Sequence, residues 1–398
     1  MRRVLVLLCM LWFTLALAEA SGEVPSSNEP ENITLTFEKQ VQISNDGYYL
    51  TGGFCRINHV SQTDLFALTF GAVTTDTATS GMEGGTAYYY KEYTLDLEYN
   101  GNTGYIHHGG GDSASIMVDG YYYFLTGGGG GWVLKKIDPV TWQDIKGVTI
   151  PIPADSGGEH YGLGDEMLAY ANGYLDASAL HVQEAEPTDG SHHHLYTLDL
   201  EFVDEFLLHD TSHIDGASMI FANGAYQFVT ADEFFGQLIV MQYDSDWNYL
   251  GFIPLITNGL WSQGLLWDEE LQKYFVAYVF RQAGGWNNIH LATFDKDWNL
   301  VDDIAVTDFP QGSGFSGGRP WVIRHNDKFY VSYDVDTTNP ETGESNHDWQ
   351  GLVNVYGLSY TIGCTTWSNV IEKYNKYVAT QATWTDVITC YTSYTSPQ

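Results

Sequence analysis

Positive charge is scarce in this sequence. Lys and Arg together number 16, against 50 Asp and Glu, for a formal net charge of −34. That excludes nucleic acid as a partner, because phosphate recognition rests on Lys and Arg. It disfavours polyanionic sugars for the same reason. An acid excess suits solubility, a saline medium or bound cations. Composition by itself leaves calcium open as a cofactor and names no other.

Long apolar runs are also missing beyond the first twenty residues. Residues 4–17 are apolar, follow Arg2 and Arg3, and lead into Ala16-Leu17-Ala18 and Ala18-Glu19-Ala20. This is the pattern of a signal peptide with small-residue cleavage sites. Residues 1–20 are therefore expected to direct export, with 21–31 a flexible N-terminus. No stretch has the length of a good membrane span. The expectation is a secreted, extracellular, soluble monomer with no membrane span. Asn32-Ile33-Thr34 is a glycosylation sequon for a host that uses one. Cysteine is sparse: Cys9 lies in the leader, Cys364 and Cys390 flank a C-terminal segment, and Cys55 stands apart. An oxidising compartment would let Cys364 and Cys390 pair, leaving Cys55 over.

Helix-forming Lys, Arg and Gln are few, whereas the chain holds 28 Tyr, 19 Phe, 12 Trp and 42 Gly. That composition favours one large all-β domain over two mixed ones, with ample apolar material for a core.

A unit of about fifty residues recurs, the length of a four-stranded propeller blade. A small-residue loop leads to an apolar strand, then a turn with Asn, Asp or Gly, then an aromatic strand. "GDSASIMVDGYYYFLTGG" from Gly111, "GDEMLAYANGYLDASAL" from Gly164 and "DGASMIFANGAYQFVTA" from Asp215 are three copies. "SQGLLWDEELQKYFVAYVF" from Ser262 and "GGRPWVIRHNDKFYVSYDV" from Gly317 are two more, and "KQVQISNDGYYLTGGF" from Lys39 reads as a degenerate first copy. A second strand pair follows each unit, its turn marked by Asp96, Asp138, Asp199, Asp244 or Asp295.

Even spacing of short strands with aromatic and Gly signals predicts an all-β β-propeller over residues 32–361, with six four-stranded blades. Extra sequence at 58–87 leaves five or seven blades open. The last unit ends at "GLVNVYGLSYT" from Gly351 without an outer strand, and "NITLTFEKQ" from Asn32 is expected to supply it, which closes the ring and removes open edges. Residues 362–398 form a C-terminal extension. There the spacing of Trp367, Val370, Ile371 and Tyr374 fits a short helix, and two added strands fit equally.

Three motifs have plain readings. "YDSDWN" and "FDKDWN" open like calcium loops. Such a loop needs Gly at its sixth position and Glu at its twelfth. Counting from Asp244 these are Tyr249 and Leu255, and from Asp295 they are Leu300 and Val306. The first Asp is therefore expected to shape a tight turn, and the Trp to pack between sheets. The run Gly127–Gly131 lacks the Lys and helix of a phosphate cradle. "SHHH" at 191–194 reads as a solvated loop rather than a metal trap.

The loops preceding the inner strands gather at one mouth of a propeller channel. They bring His108 near Asp112, His160 near Asp165 and Glu166, and His213 near Asp215, while the last unit brings Arg319 and Trp321. Convergent His, carboxylate and Arg suit acid–base chemistry or ligand binding. Asp112, Asp165 and Asp215 are the candidate catalytic groups. His108, His160, His213, Glu166, Arg319 and Trp321 are candidate substrate contacts, Arg319 to orient and Trp321 to stack on a sugar face.

This periodicity, with "GGRPWVIRHNDKFYVSYD" as an inner-strand segment, resembles secreted propellers of the glycosidase, sialidase-like and polysaccharide-lyase kinds. The resemblance spans about residues 35–361 and implies a glycan ligand at the channel mouth. The Ser-x-Asp-x-Gly-x-Thr-Trp boxes of sialidases are absent. Their arginine triad would have to come from Arg56, Arg281, Arg319 and Arg324. Two other classes fit the sequence. One is a non-catalytic interaction propeller presenting acidic loops to a surface protein or to cations. The other is a metal-dependent hydrolase or lyase using His108, His160 and His213.

Overall fold

Strand-forming stretches in this chain are punctuated by residues that accept left-handed backbone. Asn172 and Gly173 (φ +52° and +87°) and Asn223 and Gly224 (φ +54° and +77°) each place both central turn residues there. That is the geometry of a tight hairpin whose twist matches its strands. The computed structural model describes residues 30–43, 49–50, 55–73, 87–108, 113–128, 131–150, 162–182, 190–208, 214–232, 236–282, 287–310, 312–338 and 345–362. The expected C-terminal extension, the Cys364–Cys390 pairing and the signal peptide lie outside the described residues.

The chain begins with β1 (Pro30–Gln42) and the short β2 (Tyr49–Leu50). The first blade is β3 (Arg56–Val60), β4 (Leu65–Val73), β5 (Ala87–Tyr93) and β6 (Tyr99–His108). The second is β7 (Ser113–Val118), β8 (Tyr121–Gly128), β9 (Gly131–Ile137) and β10 (Asp144–Ile150). The third is β11 (Gly162–Ala171), β12 (Tyr174–Val182), β13 (Gly190–Thr197) and β14 (Phe202–Leu208). The fourth is β15 (Ile214–Ala222), β16 (Ala225–Asp232), β17 (Gln237–Tyr243) and β18 (Tyr249–Thr257). The fifth is β19 (Gly259–Asp268), β20 (Lys273–Arg281), β21 (Asn287–Asp295) and β22 (Leu300–Ala305). The sixth is β23 (Phe315–His325), β24 (Lys328–Thr338) and β25 (Ser345–Ile362), completed by β1.

Each blade is an antiparallel meander, and the inner strands β3, β7, β11, β15, β19 and β23 pack in sequence, with β23 returning to β3. The fold is thus a six-bladed β-propeller closed by its N-terminal strand, and residues 34–359 form one compact unit. The described residues outside that unit are 30–33 and 360–362, the ends of β1 and β25. One expectation needs correction. "KQVQISNDGYYLTGGF" is not an inner hairpin, because Lys39–Gln42 belong to the outermost β1 and the first inner strand is Arg56–Val60. Within the sequence at 58–87 that looked like an insertion, residues 58–60 end the first blade's β3, residues 65–73 form its β4 and Ala87 opens its β5. β2 bridges β4 and β25, joining the first and sixth blades in one sheet.

The core lies between blades. Val60, Tyr88 and Ile106 of the first blade pack with Tyr122, Phe124 and Trp142 of the second. Equivalent clusters join the second to the third, the third to the fourth, the fourth to the fifth, and the sixth to the first. Phe275 and Phe329, with ring centroids 4.3 Å apart, join the fifth to the sixth.

The Asp turns help set these seams. Asp295 Oδ1 accepts from the backbone N–H groups of Asp297 (2.9 Å) and Asn299 (2.8 Å), and Oδ2 accepts from the Asn299 side chain (3.0 Å). Asp244 repeats the pattern with Asp246 and Asn248. These carboxylates are occupied in ordering their own turns. The turn places Trp298 in left-handed backbone (φ +63°), where it stacks on Tyr274 at 4.0 Å, and its Nε1 donates to Gln227 of the preceding blade at 3.1 Å. Trp142 does the same across a seam, stacking on Tyr90 at 3.8 Å and donating to Glu92 at 2.8 Å. The expected corner role of this motif is what the structure shows.

Trp298→Ala is expected to cost about 3–5 kcal/mol through loss of a packed indole, and Asp295→Ala roughly 1 kcal/mol through loss of turn hydrogen bonds. Urea unfolding with and without calcium checks both. A calcium-induced gain that disappears in Asp295→Ala would overturn the turn assignment.

Candidate functional site

Four of the six inner strands depart from regular pairing in their entry halves. The register with the second strand breaks between Gly164 and Glu166, Asp215 and Ser218, Leu260 and Gly264, and Gly318 and Trp321. Such irregularities re-aim side chains and concentrate next to binding sites. Backbones also approach closely here. A Cβ on Gly264 would sit 2.9 Å from the Cα of Trp321 and from the nitrogen of Val322, so only glycine lets β19 abut β23.

In the sixth blade the break carries strain. Arg319 has φ +42° although it precedes Pro320. A residue before proline is ordinarily confined to extended backbone. Left-handed conformation at a non-glycine residue costs about 1–3 kcal/mol and persists where the surroundings impose it, often at functional sites.

Next to this break lies a charge held in the protein interior. Arg56, at the start of β3, is 3 % exposed. Its Nε donates to the Ser113 carbonyl at 2.8 Å, and its guanidinium sits 4.5 Å from the centre of the Trp321 ring. One side chain thereby ties the sixth, first and second blades together. A desolvated guanidinium over an indole contributes up to about 2 kcal/mol. Two residues on, Asn58 Nδ2 donates to Ser115 Oγ at 3.0 Å. Buried Asp334 neighbours Cys55, whose thiol is pushed up by burial first and by that carboxylate second. A thiol so disposed stays protonated and is a poor nucleophile.

The sequence-derived candidates fall in three groups. Arg319, Trp321 and Glu166 are described. Arg319 and Trp321 are half-buried on β23, and Glu166 is buried on β11 beside its register break. One face of Trp321 is already covered by Arg56, and its Nε1 is buried without a hydrogen-bond partner. Asp165 and Asp215 lie on β11 and β15, and His108 ends β6; the description does not extend to their side chains. Asp112, His160 and His213 lie outside the described residues. Arg56 entered the sequence reading only as one of four arginines available to a sialidase-like triad, not as a candidate site residue. Its signal was slight: an arginine inside "CRINHV", in a chain with few cations.

The "SHHH" stretch differs from its expected solvated loop. It forms part of β13, with His193 and His194 buried. His193 Nδ1 lies 2.9 Å from Asp176 Oδ2, and its ring stacks on Phe206 at 5.0 Å and meets Trp247 at 4.7 Å. This pair reads as core reinforcement between the third and fourth blades. Among the described residues, one group offers three closely spaced metal-ligating atoms: His59, Asp64 and His325.

No family model and no curated protein matches this sequence. Solved structures do. A protein of unknown function from Dyadobacter fermentans DSM 18053 superposes with TM-score 0.59 at 10% identity, covering 83% of this chain and 100% of that one. A neuraminidase-like protein from A/bat/Guatemala gives TM-score 0.49 at 11% identity, over 83% of this chain and 94% of that one. A GH43 β-1,3-galactosidase solved with galactodeoxynojirimycin gives 0.41 at 11% identity, over 66% and 92%. At such identities a likeness speaks to the fold alone, and only the first of the three is close enough to bear on it.

His194 gives this region a pH dependence. Burial holds its imidazole below the usual range, against the opposing pull of Glu205. Below about pH 6.5 the unfolded chain then binds more protons than the folded one. The contribution is complete above that pH and is lost as pH falls through the lower folded-state value. Replacing His194 with Gln is expected to flatten the urea midpoint against pH below about 6.5; an unchanged profile would place the acid sensitivity elsewhere.

Proposed function

We propose that this propeller is secreted and binds or processes an extracellular carbohydrate at the entry end of its central channel. The observation that carries the reading is the strained Arg319 in the broken register of β23, two residues from a Trp321 already braced by a buried guanidinium. Such pre-organisation is costly for a fold and has use in holding a ligand group in place. A guanidinium offers planar, forked donors to paired oxygens, and an indole offers an apolar face with one donor. Arg319 orients the ligand, Trp321 lines it, and Glu166, His108, His160 and His213 surround it. Asp112, Asp165 and Asp215, on or beside successive inner strands, supply hydrogen bonds or acid–base groups. Hydrolysis of a glycosidic bond would need two of these at a set separation.

A second reading is a non-catalytic interaction propeller. It is favoured by apolar side chains exposed along the outermost strands, among them Ile145, Phe202, Leu250, Phe252 and Leu300. It expects wild-type protein neither to capture nor to cleave any sugar.

Glycan-array capture combined with a sugar-release screen distinguishes the two. Arg319→Gly is expected to leave the melting midpoint unchanged or raised, since glycine accepts the backbone without strain, while capture falls at least tenfold. The triple variant Asp112→Ala, Asp165→Ala, Asp215→Ala is expected to abolish sugar release. Full capture and release in both variants would sink the assignment.

A further inference from the structure

The seam between the last and first blades holds a cluster that the channel site does not use. His59 lies on β3, Asp64 ends the turn between β3 and β4, and His325 is the last residue of β23. One ligand atom from each lies within 4.8 Å of the other two. His59 Nε2 is 3.1 Å from Asp64 Oδ1, and the two imidazole centroids are 3.8 Å apart at a tilt of 36°. Phe66 backs both rings edge-on, 5.7 Å from His59 and 5.6 Å from His325, and Tyr330 packs against Phe66 at 4.5 Å. The imidazoles are therefore fixed from behind by an apolar wall. Both are half-buried, and Asp64 is open to solvent. His59 stands three residues along β3 from Arg56, roughly 10 Å at strand spacing, so the cluster is separate from the channel site.

The chemistry of this donor set is specific. A tetrahedral centre with bonds near 2.0–2.1 Å sets its ligand atoms roughly 3.4 Å apart. His59 and Asp64 already stand at about that spacing, and the hydrogen now shared between them is what a cation displaces on binding. Asn326 Nδ2 lies 2.9 Å from His325 Nε2, and donation from that amide keeps the nitrogen unprotonated, the form that ligates metals. The exposed amide can yield that nitrogen to a cation. Two imidazoles with one carboxylate select zinc, copper or nickel over calcium or magnesium, which prefer oxygen throughout. Three protein ligands leave a fourth position for water.

We propose that His59, Asp64 and His325 form a binding site for a divalent transition ion of the zinc class, and that the ion fastens the first blade to the last. His59 and Asp64 come from the first blade and His325 from the sixth, so the ion spans the one seam between inner strands that lie at opposite ends of the repeat. The site uses none of the mouth histidines. Its role is to hold the ring shut.

The test uses the whole purified chain, stripped of metal with a chelator and titrated with zinc chloride alone, calcium chloride serving in parallel. Calorimetry reads stoichiometry and the melting midpoint reads linkage. Asp64→Asn is the first variant, because asparagine accepts the left-handed backbone of this position (φ +54°) and keeps the turn. His59→Gln with His325→Gln is the second. One zinc per wild-type chain is expected, with the midpoint raised by roughly 5 °C at a hundredfold excess over the dissociation constant. Affinity is expected to fall at least tenfold in Asp64→Asn, and the midpoint shift to vanish in the double variant. Calcium is expected to do neither. The proposal fails if wild-type protein takes up no zinc, if calcium serves equally well, or if Asp64→Asn binds zinc as wild type does. Should the double variant not fold, Asp64→Asn decides alone.

Discussion

Everything in this molecule depends on apolar packing between neighbouring blades. A four-stranded sheet has two faces, and an apolar face must be buried against another element. Here each blade covers one face of the next, and the buried residues sort into clusters that straddle blade boundaries. Tyr–Trp stacks lie beside those seams, across one between Tyr90 and Trp142 and within a blade between Tyr274 and Trp298, and several buried polar groups there are tied by hydrogen bonds. Trp142 donates to Glu92, Trp298 to Gln227, and Arg324 reaches Asp268 at 2.5 Å across the fifth and sixth blades. The channel is what remains when seams of this kind are arranged in a circle, so the placement of any ligand group there follows from seam geometry.

The repeat was legible because its signals are local. Asp at the end of a strand, Trp three or four residues later, and Asn-Gly between two strands each specify a turn within a few residues. The outer strand donated by the N-terminus was legible by subtraction, since the last unit lacked one. The first unit was misread for the same reason the others were found. "SNDGYY" carries the turn chemistry of an inner hairpin, whereas the true first hairpin turns through residues 61–64 without Asn-Gly. Local signals there pointed to the wrong strand pair, and the ring overrode them.

The site was less legible because its parts are distant in the chain. Nothing near Arg56 announces that its guanidinium will cover Trp321. Nothing near His59 announces His325. Both pairings cross the closure, where the two ends of the repeat meet, and a single sequence read for period cannot see contacts between its first and last units. "SHHH" failed in the opposite sense. Three consecutive histidines suggested solvent, but alternation along β13 and an acidic partner on β12 turned His193 inward. Buried polar side chains of this kind depend on a cross-strand neighbour that periodicity does not reveal.

The pairing of β1 with β25 sets the order of events when the chain folds. A hydrogen bond from Ser359 to the Thr34 carbonyl bridges 325 positions, and contacts of such range are slow to form because the loop between them must first be closed. The strand synthesised first among the blades therefore finds its place last. Until then it travels as a free edge carrying Glu31, Glu38 and Lys39, charges that discourage pairing with other chains. Once Lys328 meets Glu38 at 2.7 Å, both ends of the propeller are committed to one sheet. Loss of any one blade then opens the whole circle, and unfolding from either end of the propeller must begin by undoing the final step of assembly.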